Sequence, residues 1–160
     1  MTSNPTICLV ILAGGQSTRM GTDKAVIELG EQRLIDIQIS RFASKADLLL
    51  LSGPQDYGTG LDIVRDDPDF AGGPVGGIFS IAKLLKASRP DIPGFLTVPV
   101  DAPFAPLDVI ERLSEDGACT VAEGNQRIHP TFAYWRCDIA SLEAGQKLTV
   151  GWRGKPERGP

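Results

Sequence analysis

Residues 7–24 read ICLVILAGGQSTRMGTDK, an apolar run that ends at a pair of glycines and continues as a polar loop. The run from Ile7 to Leu12 is rich in β-branched side chains, which is typical of a strand buried on both faces of a parallel sheet. Gly14 and Gly15 have no side chains, so the backbone can turn sharply and bring its amide groups close to an anion. The segment therefore predicts a first strand followed by a phosphate-binding loop.

Two cations, Arg19 and Lys24, lie in the same loop. A guanidinium matches phosphate oxygens in a forked geometry, whereas an ammonium acts as a movable point charge. The loop contains neither the G-x-x-x-x-G-K pattern of P-loops nor the G-x-G-x-x-G fingerprint of dinucleotide-binding folds. These residues predict triphosphate binding by a different loop architecture.

Beyond the loop, apolar runs alternate with helical patterns along the chain. Further strands are predicted at Ala25–Leu29, Asp47–Ser52, Leu61–Val64, Gly94–Val98, Ala118–Ala122 and Thr131–Trp135. A first helix is predicted at Leu34–Ser44, and two later ones follow from their apolar faces. The residues expected to face inward are Ile35, Ile39 and Phe42, then Ile78, Ile81, Ala82 and Leu85, then Leu107, Ile110 and Leu113. This alternation predicts a three-layer α/β sandwich with a mainly parallel, Rossmann-like sheet.

The size and charge of the chain limit its organisation and its partners. Its 160 residues, 42% of them hydrophobic, suit one domain, predicted at residues 1–150. The glycine- and proline-rich residues 151–160 are predicted to be an unstructured tail. Because 20 acidic residues are spread among 16 basic ones, no nucleic-acid partner is expected. A small-molecule ligand and a monomer or weak oligomer are expected instead.

The cysteines and the amino terminus bear on location. Cys8, Cys119 and Cys137 are odd in number and have no Cys-x-x-Cys spacing, which argues against a disulfide framework or a structural zinc site. No basic segment precedes the short apolar run at Ile7, so neither a signal peptide nor a membrane span is expected. These features predict reduced thiols in a cytoplasmic protein with no membrane partner.

Ligands of parallel α/β sheets bind outside the carboxyl ends of the strands. Three loops of unusual composition each follow a predicted strand, at residues 12–24, 66–77 and 101–106. We therefore expect these three loops to converge on one crevice.

Residues 12–24 resemble the signature L-A-G-G-x-S-x-R-M-G-x-D-K of molybdenum cofactor guanylyltransferases. The resemblance continues, in the same order, through Asp66-Asp67 with Gly73–Gly77, Pro99–Pro103 and His129–Thr131. It implies a nucleotidyltransferase fold. It also implies transfer of GMP from GTP to the terminal phosphate of molybdopterin cofactor, with Mg²⁺ and release of pyrophosphate.

The resemblance assigns roles to individual residues. Arg19, Lys24 and Asp101 are the implied catalytic residues, and Asp101 is the implied Mg²⁺ ligand, a role that suits a carboxylate at the end of a buried strand. The implied nucleotide-binding residues are Leu12, Ala13, Gly14, Gly15, Lys24, Ser52, Asp66, Gly77 and Asp101. Ser52 is equally consistent with a turn before Gly53, and Asp67 and Asp69 are expected to be solvated.

Three alternatives stay open at this point. His129 either lies near the second substrate or packs as a structural histidine before Pro130. Family members usually continue to an Asn-x-Asn-Thr-Pro segment and a final helix, so the chain is expected to be a C-terminally shortened member. A nucleotide-binding protein without transferase activity is therefore one rival function, and a cytidylyl- or sugar-phosphate nucleotidyltransferase is another.

Overall fold

The computed structural model of the chain describes residues 6–13, 23–70, 74–115, 117–124, 127–141 and 151–153. The elements in these ranges are, in chain order, β1 (Cys8–Leu12), β2 (Glu28–Leu29), β3 (Gln32–Arg33), α1 (Leu34–Phe42), β4 (Leu48–Ser52), β5 (Ile63–Val64), α2 (Pro74–Ser88), β6 (Gly94–Pro99), α3 (Val109–Ser114), β7 (Thr120–Gly124), β8 (Arg127–Arg136) and β9 (Gly151–Arg153). Short 3₁₀ helices occupy Lys24–Val26, Ala43–Lys45 and Cys137–Ser141.

Seven of these strands form one sheet in the order β5-β4-β1-β6-β8-β7-β9. Four of its six pairings are parallel, and the two pairings made by β8 are antiparallel. Strands β2 and β3 form a separate hairpin. The predicted mainly parallel α/β sheet is therefore confirmed.

Strand β1 lies inside the sheet and is buried on both faces, as its composition predicted. Cys8 and Val10 point into one hydrophobic cluster, and Leu9 and Ile11 point into the other, because successive side chains of a strand alternate. The first cluster includes Ile81 and Leu85 of α2. The second includes side chains of α1 and α3. This distribution gives the predicted three-layer sandwich.

The inward-facing residues of the helices agree with the sequence patterns except at Leu107. Leu107 is 37% exposed and precedes α3, whereas Ile110 and Leu113 of that helix are buried. On α1, Ile35 and Phe42 are buried and Ile39 is half-buried against the same cluster, whereas the polar Gln38 beside it is fully buried, which the pattern did not predict. A polar side chain can take a core position when its hydrogen bonds are met by other protein groups.

Two predicted segments differ from the structure. The strand expected at Ala25–Leu29 begins only at Glu28, because the Asp23 side chain accepts a hydrogen bond from the Ala25 amide and starts a 3₁₀ turn instead. The tail prediction is wrong for Gly151–Arg153, which pairs in parallel with β7. Backbone groups of an edge strand can pair with another segment whatever its side chains. Residues 154–160 lie outside the described ranges, and the domain boundary at residue 150 stays a prediction.

The three cysteines are free, buried thiols. Burial raises the pKa of Cys8 to about 12 and that of Cys137 to about 11, so both thiols stay protonated at neutral pH. Among the described residues, no helix is both long and apolar enough to cross a membrane.

Gly94 begins β6 at a point where β8 approaches its backbone closely. A Cβ atom at this position would overlap the Tyr134 hydroxyl and ring, and would lie 2.7 Å from the Trp135 carbonyl oxygen. The Trp135 carbonyl is backbone and cannot swing away. The packing of β8 on β6 therefore requires glycine here.

We predict that Gly94→Ala lowers the free energy of unfolding by about 3 kcal/mol, the upper range for overpacking, as measured by urea denaturation. Gly30→Ala is the matched control, because no described atom lies within 4 Å of its Cβ position and only its positive φ of 67° opposes the change. We expect a loss of about 1 kcal/mol there. Adding Tyr134→Phe should restore part of the loss in Gly94→Ala and none in Gly30→Ala; equal effects in both would contradict the packing explanation.

Candidate functional site

The carboxyl end of β1 lies between those of β4 and β6. Leu12 pairs with Ser52 on one side and with Pro99 on the other. The Ala13 amide donates to the Ser52 carbonyl oxygen at 2.8 Å, and the Val100 amide donates to the Leu12 carbonyl oxygen at 3.1 Å. Strands β4 and β6 are thus two strand spacings apart, about 10 Å. The glycine-rich loop leaves β1 between them, and residues 14–22 of that loop lie outside the described ranges.

On the β6 side, Lys24 Nζ lies 3.0 Å from Asp101 Oδ2. The two side chains are 42% and 44% exposed, and 77 residues of chain separate them. An exposed ion pair contributes only about 0–1 kcal/mol to stability, so stability alone does not explain why the fold brings these groups together. The pair places a cation and a carboxylate side by side beyond the carboxyl end of β6.

Lys24 is held in place by its neighbour Asp23. One carboxylate oxygen of Asp23 accepts from the Ala25 amide at 3.0 Å, and the other accepts from the Tyr57 hydroxyl. Tyr57 is 6% exposed and has a positive φ of 53°. Burial, followed by the neighbouring Asp23 carboxylate, raises the pKa of Tyr57, so the phenol keeps the proton that it donates. The Arg33 guanidinium donates to the Tyr57 carbonyl oxygen at 3.0 Å and steadies this turn.

On the β4 side, Ser52, Asp66 and Gly77 come together. A Cβ atom on Gly77 would lie 3.4 Å from Asp66 Oδ1 and 3.5 Å from Ser52 Oγ. Ser52 is buried at the end of β4, and Asp66 is exposed just after β5. Gly77 lies at the start of α2. Because it has no side chain, its backbone can lie close to the side chains of Asp66 and Ser52.

The loop that carries Asp66 is anchored by the residue after it. The Asp67 amide donates to Ser80 Oγ at 2.8 Å, and the Asp67 carboxylate lies 2.6 Å from Lys83 Nζ. The hydrogen bond from Lys83 is the main cause that lowers the pKa of Asp67. Asp69 is 80% exposed, as expected, but the prediction of a solvated Asp67 is wrong, since this side chain is only 23% exposed and is paired.

Asp101 could hold a divalent cation. Its carboxylate is a hard oxygen ligand and is 44% exposed. In the described part of the chain, no three His, Cys, Asp or Glu side chains surround a common point. Mg²⁺ is commonly held by one or two carboxylates and takes its other ligands from water and substrate phosphates. The donor set therefore fits an ion that binds together with a phosphate ligand.

The predicted site residues are distributed as follows. The described site residues lie at the carboxyl ends of β1, β4, β5 and β6 or in the segments that follow them; they are Leu12, Ala13, Lys24, Ser52, Asp66, Gly77 and Asp101. The structure brings Lys24 to Asp101 and brings Ser52, Asp66 and Gly77 together, and the convergence of all three loops on one crevice stays a prediction. Gly14, Gly15, Arg19 and Gly73 lie outside the described residues. His129 is exposed on β8 opposite Ala122 rather than packed in the core.

Tyr57, Ser80 and Lys83 support the site but do not stand out in the sequence. Each acts through a contact with a residue 13 to 34 positions away along the chain. Linear patterns of charge and hydrophobicity do not reveal such contacts. Gln38 is a further residue that the sequence reasoning missed, and it is the one with the clearest sequence signal, because it is a polar residue within the apolar stripe of α1.

A family model described as the MobA-like NTP transferase domain matches residues 9–153. A molybdenum cofactor guanylyltransferase from Cereibacter sphaeroides (strain ATCC 17029 / ATH 2.4.9) is 35% identical over 158 residues, which cover 91% of this chain and 80% of that protein.

Two solved structures share the fold. The molybdopterin-guanine dinucleotide biosynthesis protein A from Archaeoglobus fulgidus has a TM-score of 0.70 at 17% identity, covering 92% of this chain and 83% of its own. The 2-C-methyl-D-erythritol 4-phosphate cytidylyltransferase from Thermus thermophilus has a TM-score of 0.58 at 19% identity, covering 95% and 90%. The family model and the 35% identical relative together show that the chain belongs to the MobA-like NTP transferase family.

Proposed function

We propose that the protein transfers GMP from GTP to the terminal phosphate of molybdopterin cofactor and releases pyrophosphate. The observation that carries this proposal is the Lys24–Asp101 pair at the carboxyl ends of β1 and β6, in a chain similar to molybdenum cofactor guanylyltransferases. An ammonium for a phosphate and a carboxylate for a metal ion are the two charged groups that nucleotidyl transfer requires.

The nucleotide is proposed to lie across the end of β1. Its phosphates would contact the loop amides, Arg19 and Lys24, while its nucleoside would lie toward Ser52, Asp66 and Gly77. The roughly 10 Å between β4 and β6 suits a ligand whose two ends are a nucleoside and a triphosphate. The full proposed set of nucleotide-binding residues is Leu12, Ala13, Gly14, Gly15, Lys24, Ser52, Asp66, Gly77 and Asp101.

The reaction needs no nucleophile from the protein. An oxygen of the acceptor phosphate attacks the α-phosphorus of GTP, the bond to the β-phosphate oxygen breaks, and pyrophosphate leaves with its electron pair. The residues of this chain hold two anions close together and offset their charge. Asp101 would hold Mg²⁺, which neutralises phosphate charge when bound. Lys24, whose turn is anchored through Asp23, would then move from Asp101 to a phosphate oxygen.

The proposal is tested by measuring pyrophosphate release with GTP, CTP and UTP, each with and without molybdopterin and Mg²⁺. We expect release only when GTP, molybdopterin and Mg²⁺ are all present. Release with CTP in preference to GTP would point instead to a cytidylyltransferase. Nucleotide binding without any release, for every nucleotide and acceptor tested, would identify a binding protein without transferase activity.

Lys24→Ala is expected to lower kcat/KM about 10²- to 10³-fold, the usual effect of removing one charged group that stabilises a transition state. Lys45→Ala is the matched control, because Lys45 also forms an exposed ion pair, 3.2 Å from Glu111, and lies near the amino end of β1. Both variants should change the free energy of unfolding by less than about 1 kcal/mol. Equal rates in the two variants would remove Lys24 from the mechanism.

Gly77→Ala separates nucleoside binding from folding. Its methyl group would sit at ordinary contact distance from Asp66 and Ser52, and alanine is a better helix former by about 1 kcal/mol, so stability should not fall. The methyl group would nevertheless occupy the space proposed for the nucleoside, and we expect the Kd for GTP to rise about tenfold, as measured by calorimetry. Binding of inorganic tripolyphosphate should be unchanged. An unaltered Kd for GTP would exclude Gly77 from the nucleoside site.

A further inference from the structure

Gln38 is a fully buried polar residue on α1. It lies in the stripe formed by Leu34, Ile35 and Phe42, where a leucine or methionine would add apolar contact area. Its side-chain amide instead donates to two backbone carbonyl oxygens, those of Pro99 at 2.8 Å and Ala102 at 3.1 Å. A buried amide is costly unless such partners are present, so the position depends on this pair of contacts.

The two carbonyl groups that Gln38 contacts flank Asp101. Pro99 is the last residue of β6, and Ala102 directly follows Asp101. Between them the Val100 amide donates to the Leu12 carbonyl oxygen of β1. The backbone on both sides of Asp101 is therefore attached, once to β1 and twice to one side chain of α1.

Arg41, one turn later on α1, extends the network. Its guanidinium donates to Gln38 Oε1 at 3.2 Å and also to the Ala105 carbonyl oxygen. Gln38 thus uses its oxygen to accept from Arg41 and its nitrogen to donate to the loop, so its amide orientation is determined by its partners. Three carbonyl groups between residues 99 and 105 are held by two side chains of one helix.

We infer that Gln38 is a positioning residue for Asp101, supported by Arg41, and that it sets the affinity of the site for its divalent cation. This inference rests on the proposed function, because that function assigns the metal ion to Asp101. A carboxylate on an unattached loop would lose conformational freedom when it bound a metal ion. The contacts from α1 already order this loop in the folded protein, so less conformational freedom is lost when the metal ion binds.

The test compares Gln38→Met with Ile35→Val. Methionine has a similar volume to glutamine but donates no hydrogen bonds, whereas Ile35 is a buried apolar residue of the same helix and its truncation measures the effect of lost packing alone. Three quantities are measured for each variant. They are the amide hydrogen exchange of residues 99–105, Mn²⁺ binding in the presence of GTP by electron paramagnetic resonance, and the Mg²⁺ dependence of pyrophosphate release. Arg41→Met provides a second variant if Gln38→Met does not fold.

For Gln38→Met we expect faster exchange confined to residues 99–105, about tenfold weaker Mn²⁺ binding, and about a tenfold lower kcat with an unchanged KM for GTP. Arg41→Met should change the same quantities in the same direction by a smaller factor, and Ile35→Val should change none of them. Unchanged Mn²⁺ affinity in Gln38→Met, or the same loss in Ile35→Val, would overturn the inference. If the wild-type protein binds Mn²⁺ and GTP without releasing pyrophosphate, the proposed function fails, and the Mn²⁺ affinities still decide the role of Gln38.

Discussion

The parallel pairing of β1 with β4 on one side and β6 on the other is the constraint on which the site depends. Leu12 pairs in register with Ser52 and Pro99, so three chain segments that are far apart in sequence end at the same edge of the sheet. The apolar side chains of β1, buried in both hydrophobic clusters, hold this arrangement in place. Burial of such side chains is worth roughly 1.5–3 kcal/mol each, far more than the exposed ion pair between Lys24 and Asp101. The core therefore positions the charges.

The polar groups at this edge are held in position by contacts that other side chains make with them or with their loops. Tyr57 holds Asp23 and thereby the start of the Lys24 turn, Lys83 and Ser80 hold the loop after Asp66, and Gln38 holds the loop around Asp101. Gln38 lies on α1, Ser80 and Lys83 lie on α2, and Tyr57 lies in the turn between β4 and β5. Groups that must meet a ligand in a given geometry are ordered before the ligand arrives, which lowers the entropic cost of binding.

Much of the fold was predictable because its strands are continuous apolar runs and its helices have apolar faces with helical spacing. The predictions for β4 and β6 differ from the structure by one residue at one end. The errors arose where a specific contact overrode the pattern: Asp23 caps a 3₁₀ turn before β2, Gln38 takes a fully buried position through its hydrogen bonds, and β9 pairs with β7 through backbone groups. The candidate site was predictable as a set of residues, since Lys24, Asp66, Gly77 and Asp101 each stand in a recognisable segment.

The sequence by itself determined the layers of the fold and the chemical types at its crevice, because hydrophobic periodicity and a thirteen-residue motif are local properties of the chain. Only the tertiary structure decided which of these groups are neighbours and what holds them. The pairing of Lys24 with Asp101, the meeting of Ser52 with Asp66 and Gly77, and the attachment of the Asp101 loop to Gln38 join residues up to 77 positions apart. Such contacts follow from strand order and helix placement, which no linear pattern specifies.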